Sequence, residues 1–567
     1  MLSRTRSWCA DYGESKCAVS EGCAWILVAS RDPRCRASVC CRDSRHHFRR
    51  RRVKFKSLVF PLLLIALAAV PVLLARGRES NSNALRRVII YTPHNEQIRS
   101  EFARGFAEWH LRKFGEDAEV IWNTPGGTSE IRRILDANAQ AALRENRPIG
   151  GNADLVFGGG SYEYGQLKLE IRVGDGADAR SGRILQAPSF DDAYLTEIYG
   201  ANTIGDNTLY DIDHYWFGVA LSGFGIVYNR DILKDLGVPE PRIWADLTDA
   251  RLAGSVTLVN PAQSGSVTTA LEAIIQRLGW EQGWQIIRRM SANARSVASS
   301  APKVPLDVSA GDSAAGPCID FYGRYQAQAI ATAGDPDRLG YVDPLGQTVI
   351  DPDPVALLSN APNRETAERF IRFALSDDGQ ALWQFRVNAQ VGALNGPVEF
   401  ELRRMPVRRD FIAKYHSQFM DDVDPFTLAS AVKDPDKNAR SFIAPLFSAM
   451  CADRRDELAA AWKAIYTHPA YPHDIIFVTA ANVDDDELTS MLLAFDAMPI
   501  VTGPENVRYE MSTREGRASI KEGYLKGKWK SANLWPEGAT PIDELRRHFG
   551  SFFHEQYSRI MHTREAA

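Results

Sequence analysis

The chain has 567 residues and a mass of 63.1 kDa, with a formal net charge of −4 and a pI near 6.3. Hydrophobic residues make up 45% and charged residues 24% of the chain, which excludes a disordered chain, a collagen-like fibre and a small disulfide-rich protein. The near-neutral charge argues against a nucleic-acid-binding protein, which normally carries a basic face. The length predicts about two to four domains.

The cysteines are unevenly distributed. Six of the eight lie within the first 41 residues, and only Cys318 and Cys451 follow. The early cysteines lack the paired spacing of a zinc site, and the rest of the chain does not depend on a disulfide framework. Whether Cys318 and Cys451 form a disulfide is open at this stage.

A basic run and an apolar segment stand near the N-terminus. Arg42–Lys56 is rich in arginine and lysine, and Ser57–Ala75 carries no charge over about 19 residues. At ~1.5 Å per residue, this length just spans a hydrocarbon core of about 30 Å. We therefore predict a basic cytoplasmic segment at 1–56 and a transmembrane segment at 57–76, with everything after Arg76 outside the membrane.

Two interpretations of the apolar segment remain open. It is either a signal anchor that stays in the membrane or a signal peptide that is cleaved, although no A-x-A motif precedes Arg76. The composition of 1–52 differs from the rest and also allows a true start near Val53, with Lys54 and Lys56 as the charged beginning. The predicted location is the cytoplasmic membrane, crossed once, with the main domain periplasmic or extracellular.

The part beyond this segment begins with alternating strands and helices. Five segments have the length and periodicity of regular elements: strands at Arg87–Thr92, Ala118–Trp122 and Asp154–Phe157, and helices at Gln97–Phe114 and Thr128–Leu143. This order predicts a parallel, doubly wound sheet. Ligands of such sheets bind at the carboxyl ends of the strands, where the loops that carry His94 and Ser161 lie.

Later segments continue the α/β pattern. Tyr215–Asn229 is predicted as one long, mostly buried extended segment. The strand Ser255–Val259 leads through Asn260–Ser266 into a helix predicted at Val267–Leu278. Residues 401–567 are predicted as a mixed, mostly helical C-terminal extension.

A series of short motifs follows in order along the chain. They are Gly223–Asn229, Trp244–Leu247, Asn260–Ser266, Gly311–Asp312, Asp320–Tyr322, Pro344–Gly346, Asn360–Asn363 and Ser376–Gln380. In this order and spacing, they resemble the type 2 periplasmic solute-binding proteins of ABC importers, in the branch that includes ferric-iron and phosphonate binders. The resemblance covers roughly residues 86–400.

The resemblance implies an α/β fold with two lobes and two crossing hinge strands, preceded here by one N-terminal transmembrane helix. The first crossing strand would lie within Leu221–Asn229 and the second near Val349–Leu358. The first lobe would comprise 86–220 with a return at 349–400, and the second lobe would comprise 221–348.

The resemblance also implies a binding protein rather than an enzyme, with no cofactor and no nucleic-acid partner. It would capture a small solute between its lobes and deliver it to an ABC permease in the membrane. The solute would be an oxyanion, a phosphonate, or ferric iron with an anion. The chain has no common catalytic motif and no recognisable nucleophile with its base. The alternative function is a membrane-anchored sensor or interaction protein on the same fold.

Ser264-Gly265-Ser266 is the strongest candidate site. It lies between the end of a strand and the start of a helix, whose first N–H groups lack partners and whose dipole is positive at that end. Such a segment predicts an anion site, and Gly265 lets a ligand approach the backbone closely. In the alternative interpretation, Ser264 only caps the helix.

The resemblance makes His94 and Tyr322 candidate ligand-binding residues. Iron-binding relatives have a histidine in the loop of His94 and paired tyrosines near Tyr322, so both would be metal ligands if the solute is ferric iron. Phe321 stands where one of these tyrosines would be and departs from the pattern. The alternatives are a capping or surface histidine and a tyrosine that only packs.

Ser161 and Trp216 complete the predicted set of ligand-binding residues. Ser161 follows Gly158–Gly160 at a strand end and offers a hydroxyl and a backbone N–H. Trp216, together with Tyr162, is placed as a wall of the cleft. The alternatives are a tight turn for Ser161 and a core position for Trp216.

Overall fold

The computed structural model describes residues 85–530 and 539–566. The membrane segment predicted at 57–76 lies outside them. Within the described part, no helix combines the length and the apolar character that crossing a bilayer requires.

The strands alternate with helices over most of the described chain. The strands are β1 Arg86–Tyr91, β2 Ala118–Asn123, β3 Leu155–Phe157, β4 Glu170–Val173, β5 Arg180–Arg183, β6 Leu185–Gln186, β7 Phe217–Ser222, β8 Phe224–Asn229, β9 Val256–Val259, β10 Ala294–Ala298, β11 Ala315–Ile319, β12 Leu339–Val342, β13 Asp351–Leu358, β14 Gln390–Val391, β15 Leu394–Asn395, β16 Met405–Pro406, β17 Ile500–Thr502 and β18 Arg508–Glu510.

The helices are α1 Glu96–Phe114, α2 Thr128–Arg144, α3 Ser161–Leu167, α4 Asp192–Tyr199, α5 Arg230–Asp235, α6 Gly265–Leu278, α7 Trp280–Ala292, α8 Lys303–Ala310, α9 Asp320–Thr332, α10 Arg364–Leu375, α11 Asp377–Gln384, α12 Arg409–Tyr415, α13 Pro425–Leu428, α14 Arg440–Phe447, α15 Arg455–Tyr466, α16 Asp486–Asp496, α17 Arg514–Ile520 and α18 Pro541–Ala566.

The first sheet contains the β-α-β-α-β unit that the sequence predicts. β1 pairs in parallel with β2 on one side and with β3 on the other, with Val88 opposite Val120. β13, β7 and β16 extend the sheet in antiparallel order beyond β3, and β6 also pairs with β13. The parallel arrangement is therefore confirmed for β1 to β3, whereas the sheet as a whole is mixed. The residues packed around it form the first lobe.

The second sheet has the strand order β10-β9-β11-β8-β12. β9 is parallel to β10 and β11, and β8 runs antiparallel to β11 and β12. Apolar faces of the helices α6 and α7, with residues such as Ile274 and Trp284 fully buried, cover this sheet. The residues packed around it form the second lobe.

The lobes are joined where strands pass from one sheet to the other. β7 belongs to the first sheet and β8 to the second, and the chain crosses between them at Gly223. The single extended segment predicted at Tyr215–Asn229 is wrong in this respect, because its two halves pair with different sheets. The return crossing is the segment 343–350, between β12 and β13.

The C-terminal extension divides between the lobes. Leu402, Met405 and Val407 are buried in the core of the first lobe. Helices α14 to α16 and α18 instead share the core of the second lobe with α7, where Trp462 is 1% exposed. The extension therefore enlarges both lobes.

Residues 429–438, which we call the strap, connect these two parts of the extension and make a third crossing. Arg277 on α6 donates from Nη1 to Ser430 Oγ at 2.8 Å. The N–H of Val432 donates to Asp206 Oδ2 of the first lobe at 2.7 Å. The strap is thus bonded to both lobes.

Cys318 and Cys451 are both buried and are not paired with each other. Burial raises the pKa of the Cys451 thiol to about 12. The structure therefore gives no support to a bridge between them.

Candidate ligand-binding cleft

A cavity of about 370 Å³, which we call the cleft, lies between the two lobes. His94, Ser264, Gly265, Ser266 and Tyr322, five of the residues that the sequence singles out, all line it. The other lining residues are Pro93, Gly126, Gly127, Thr128, Gly159, Gln263, Ser299, Ser300, Ala301, Pro302, Ile319, Phe321, Asp353 and Arg404. Both lobes and the start of the C-terminal extension contribute to its walls.

Five helices of the described chain begin at or next to the cleft: α1, α2, α6, α8 and α9. Their starts follow strand ends or short loops, as expected for an α/β fold. Gly127 and Pro302, at the N-cap positions of α2 and α8, give no side-chain cap, whereas Asp320 Oδ1 accepts the N–H of Phe321 at the start of α9. The first N–H groups of a helix have no intrahelical partner and carry a partial positive charge. The cleft is therefore electrostatically favourable for an anion.

The serines of α6 add hydroxyl donors to these helix starts. Ser264 Oγ lies 3.5 Å from the N–H of Val267, which is a long capping contact, and 3.0 Å from Ser266 Oγ. A Ser hydroxyl donates one hydrogen bond and accepts others. Ser264 therefore combines a weak cap with a position at the cleft wall, so both interpretations of this residue have a basis in the structure.

The lobes approach each other closely at Gly265. A Cβ at this position would lie 3.0 Å from Glu163 Oε1 and 3.3 Å from Ser129 Oγ, both on the first lobe. Glu163 is held in place by Arg132, whose Nε donates to Oε2 at 2.5 Å. Gly265 is thus required for close contact between the lobes.

His94, Asp353 and Arg404 form a buried cluster on the cleft floor. Nε2 of His94 lies 2.8 Å from Asp353 Oδ2, and Arg404 forms an ion pair with the same carboxylate. Oδ1 of Asp353 accepts the N–H of Gly159 at 2.5 Å. The cluster therefore joins three distant parts of the chain.

Electrostatics keep this cluster close to neutral. Burial lowers the pKa of His94, against the attraction of Asp353, so the imidazole is neutral at pH 7. Burial would raise the pKa of Asp353, but Arg404 and His94 outweigh it and hold that pKa below its ordinary value. One positive guanidinium thus offsets one carboxylate.

Arg404 is a cleft residue that sequence reasoning missed. It precedes β16 in the extension that the family motifs do not cover, and no local signal distinguishes it from Arg403. Its guanidinium lies 4.3 Å from the centre of the Phe321 ring and donates from Nη2 to Ser222 Oγ at 2.6 Å. The aromatic face of Phe321, where ferric binders have a tyrosine, thus supports an arginine.

Tyr322 lies beside Phe321, with the two ring centres 4.1 Å apart. Burial raises the pKa of Tyr322 to about 12, so its phenol remains protonated at neutral pH. It offers an O–H donor rather than a phenolate to the cleft.

Ser161 and Trp216 do not reach the cleft. Ser161 donates from Oγ to Asp351 Oδ1 at 2.7 Å and from its N–H to Oδ2 at 3.2 Å. Both residues line a separate cavity between the lobes. The predicted ligand-binding residues therefore lie in two cavities, five in the cleft and Ser161 and Trp216 in the other.

Residues 186–402 match the sequence profile of the family described as bacterial extracellular solute-binding protein. The phosphoglycerate transport regulatory protein PgtC of Salmonella typhimurium is 30% identical over 164 residues, which are 29% of this chain and 39% of that protein. An uncharacterized protein of Haemophilus influenzae is 24% identical over 363 residues, which are 62% of this chain and 92% of the relative. The chain therefore spans about two fifths of the length of PgtC.

Solved structures of periplasmic binding proteins also align with the chain. AfuA of Actinobacillus pleuropneumoniae, solved with fructose-6-phosphate, is 20% identical, with coverage of 59% of this chain and 98% of AfuA and a TM-score of 0.41. Apo ferric ion-binding protein A of Pasteurella haemolytica is 14% identical, with coverage of 60% and 92% and a TM-score of 0.41. The sequence match over residues 186–402 is to a bacterial extracellular solute-binding family, and it confirms the resemblance read from the motifs for that part of the chain.

Proposed function

We propose that this protein is the solute-binding component of an ABC-type importer and that it captures a small anion in the cleft. The convergence of five helix starts on one cavity carries this proposal. Hydroxyls of Thr128, Ser264, Ser266, Ser299 and Ser300 line the same cavity and supply further hydrogen-bond donors. The solute class is a phosphate, phosphonate or carboxylate group on a small molecule.

The donor set favours an anion over ferric iron. Phe321 replaces an oxygen ligand, Tyr322 retains its proton, and His94 Nε2 is bonded to Asp353. Among residues 85–530 and 539–566, no group of three His, Cys, Asp or Glu side chains is placed to hold a metal ion. Ferric iron as cargo would need Tyr322 to ionise and the anion to complete the ligand set.

Capture requires no covalent step and no cofactor. Gly265 of the second lobe lies against Ser129 and Glu163 of the first, and opening for entry or release of the solute would bend the crossings near Gly223 and 343–350. A permease would then accept the closed form. If 57–76 anchors the chain, the anchor would raise the concentration of the binding domain near that permease.

A sensor or interaction protein is the second candidate, because PgtC, a relative over 164 residues, is named a transport regulatory protein. In this alternative, the cleft binds the same class of anion and the C-terminal extension contacts a protein partner. The name of PgtC also makes phosphoglycerate a suitable compound for the first ligand screen.

A thermal-shift screen of the full chain tests the proposal. Phosphate, 3-phosphoglycerate, a phosphonate, sulfate and Fe³⁺ with and without phosphate would be added separately. A solute at 100 times its Kd should stabilise the protein by about 2.7 kcal/mol. The shift with an anion should disappear in Ser264→Ala/Ser266→Ala and persist in Ser376→Ala, which changes the N-cap serine of α11 outside the cleft.

The other outcomes are distinct. A shift with Fe³⁺ alone would contradict the anion proposal and assign His94 and Tyr322 to iron. No shift with any of these solutes would contradict transport of a small anion and favour the interaction protein. An anion shift retained in the double serine variant would place the anion elsewhere in the molecule.

A further inference from the structure

A second cavity, of about 430 Å³, lies between the lobes apart from the cleft. Trp216 and Asp351 contribute from the first lobe, Thr269 and Glu272 on α6 contribute from the second, and Pro435 contributes from the strap. Its volume is within the range of small-molecule sites. The mechanism proposed for the cleft uses none of these residues.

Asp351 gives this cavity an acceptor that no cation neutralises. Its carboxylate is 7% exposed and accepts hydrogen bonds from the N–H and hydroxyl of Ser161. Arg440, which attracts the Asp351 carboxylate without forming an ion pair with it, is paired with Glu272 at 2.6 Å. Within residues 85–530 and 539–566, Asp351 has no ion-pair partner. Burial raises its pKa to about 6, so most of the carboxylate is still ionised at pH 7.

Trp216, which lines the same cavity, supplies an unused donor among the described residues. The residue is 4% exposed, and its Nε1 is buried without a hydrogen-bond partner in the described part of the chain. Nε of Arg440 is likewise buried without a hydrogen-bond partner in the described part of the chain. A buried N–H without a partner costs about 1–3 kcal/mol, and native structures rarely keep one without a reason. The second cavity thus combines unpaired donors, an aromatic wall and a free carboxylate.

We propose that the second cavity binds a small polyhydroxylated molecule, a polyol or a monosaccharide, independently of the anion in the cleft. A hydroxyl group both donates and accepts, so one ligand can donate to Asp351 and accept from Trp216 Nε1. The indole face packs against the C–H groups of such a ligand.

Other ligand classes satisfy only part of this arrangement. An alkylammonium ion would pair with Asp351 but would leave the indole N–H without an acceptor. A simple anion would accept from Trp216 but would be repelled by Asp351. A ligand with a donor and an acceptor matches both side chains, and a hydroxyl supplies both without a negative charge that Asp351 would repel.

Fluorine NMR of the full chain labelled with 5-fluorotryptophan tests this proposal. The chain has 12 tryptophans, and Trp216→Phe identifies the Trp216 resonance by its absence. Glycerol, sorbitol, D-glucose and D-fructose would be titrated separately. We expect at least one of them to shift the Trp216 resonance in a saturable way.

Variants show whether the ligand uses the proposed groups. Asp351→Asn should weaken the binding by about tenfold or more, because it removes a charged acceptor. Ala273→Leu, which fills the second cavity from α6 without removing a bond, should abolish the shift even if Asp351→Asn does not fold. Ser264→Ala/Ser266→Ala should leave the shift unchanged, so that failure of the anion proposal and failure of this one are separable.

Three results would overturn the proposal. The first is that no polyol or monosaccharide shifts the Trp216 resonance at millimolar concentration. The second is that putrescine or glycine shifts it while the polyols do not. The third is that the double serine variant abolishes the polyol shift, which would place the ligand in the cleft.

Discussion

Two aspartates on one strand lie in contrasting environments. Asp353 and Asp351 are two residues apart on β13, and they line the cleft and the second cavity respectively. Arg404 and His94 hold the pKa of Asp353 below its ordinary value, whereas burial without an ion pair raises the pKa of Asp351 to about 6. Alternate residues of a strand lie on the same face, so Asp351 and Asp353 follow each other along one face of β13 and each lines a different cavity.

The difference shows how each cavity is suited to its ligand. In the cleft, Arg404 offsets the only lining carboxylate, so the helix starts and hydroxyls decide which ligand is favourable. In the second cavity, the carboxylate of Asp351 remains available as an acceptor. Pairing, and not burial alone, therefore separates the two environments.

Among the predicted variants, removal of the Arg404 side chain should lower the free energy of unfolding most. Arg404→Ala leaves the carboxylate of Asp353 buried without its cation, so we expect the free energy of unfolding to fall by about 3–5 kcal/mol in urea titrations. Arg133→Ala breaks an exposed pair with Glu130 in the same lobe and should cost less than about 1 kcal/mol.

The double variant Arg404→Ala/Asp353→Asn should recover part of the stability, because it removes the unpaired charge. A loss below about 1 kcal/mol in Arg404→Ala alone would show that Asp353 does not depend on this arginine.

The second-largest expected effect is on how the free energy of unfolding depends on pH, which should differ between Asp351 and Asp353. The pKa of Asp351 is raised from 3.8 to about 6 in the folded state, so its contribution is complete below pH 3.8 and is lost as the pH rises through about 6. This change amounts to at most about 3 kcal/mol. Urea titrations from pH 4 to 7 should show a smaller decline in Asp351→Asn than in the wild type.

Asp353 should behave in the opposite way. Its pKa is lowered, so its contribution is present above 3.8 and is lost as the pH falls through the lower folded value. Asp353→Asn should therefore flatten the acid side of the stability profile. Equal profiles for the two variants would contradict the contrast between the cavities.

A methyl group at Gly265 should weaken ligand binding with little effect on folding. Gly265→Ala places a Cβ 3.0 Å from Glu163 and should oppose lobe closure, so we expect phosphate affinity to fall by about tenfold in calorimetry. Gly165→Ala is the control, because a Cβ there meets nothing within 4 Å. Unchanged affinity in Gly265→Ala would show that close contact at this position is not needed for binding.

Loss of the Ser264 cap should lower the free energy of unfolding least among the predicted changes. Its contact with Val267 N is long at 3.5 Å, so Ser264→Ala should lower the free energy of unfolding by less than about 1 kcal/mol. Ser376→Ala, with a cap of 3.4 Å on α11, should cost a similar amount. A loss above about 2 kcal/mol in thermal or urea unfolding would mean that Ser264 is mainly a structural residue.

Local patterns in the sequence were enough to predict several parts of the molecule. The strands and helices between Arg86 and Phe157 agree with their predicted bounds within one residue, because apolar periodicity and turn residues act over short distances. The helix predicted at Val267–Leu278 begins two residues earlier, at Gly265, with Ser264 as its N-cap. The crossing at Gly223 lies within the predicted Leu221–Asn229, whereas the return crossing at 343–350 lies just before most of the predicted Val349–Leu358.

Only the tertiary structure decided how the cavities are built. His94 meets Asp353 across 259 residues and Arg404 across 310, and no local pattern encodes contacts of that separation. The same packing separates Ser161 and Trp216 from the cleft and divides the extension between the lobes. By itself, the sequence determined the elements and the helix start that lines the cleft, since these depend on neighbouring residues. The pairing of Asp353, the isolation of Asp351 and the position of Arg404 depend on which distant segments the folded chain brings together.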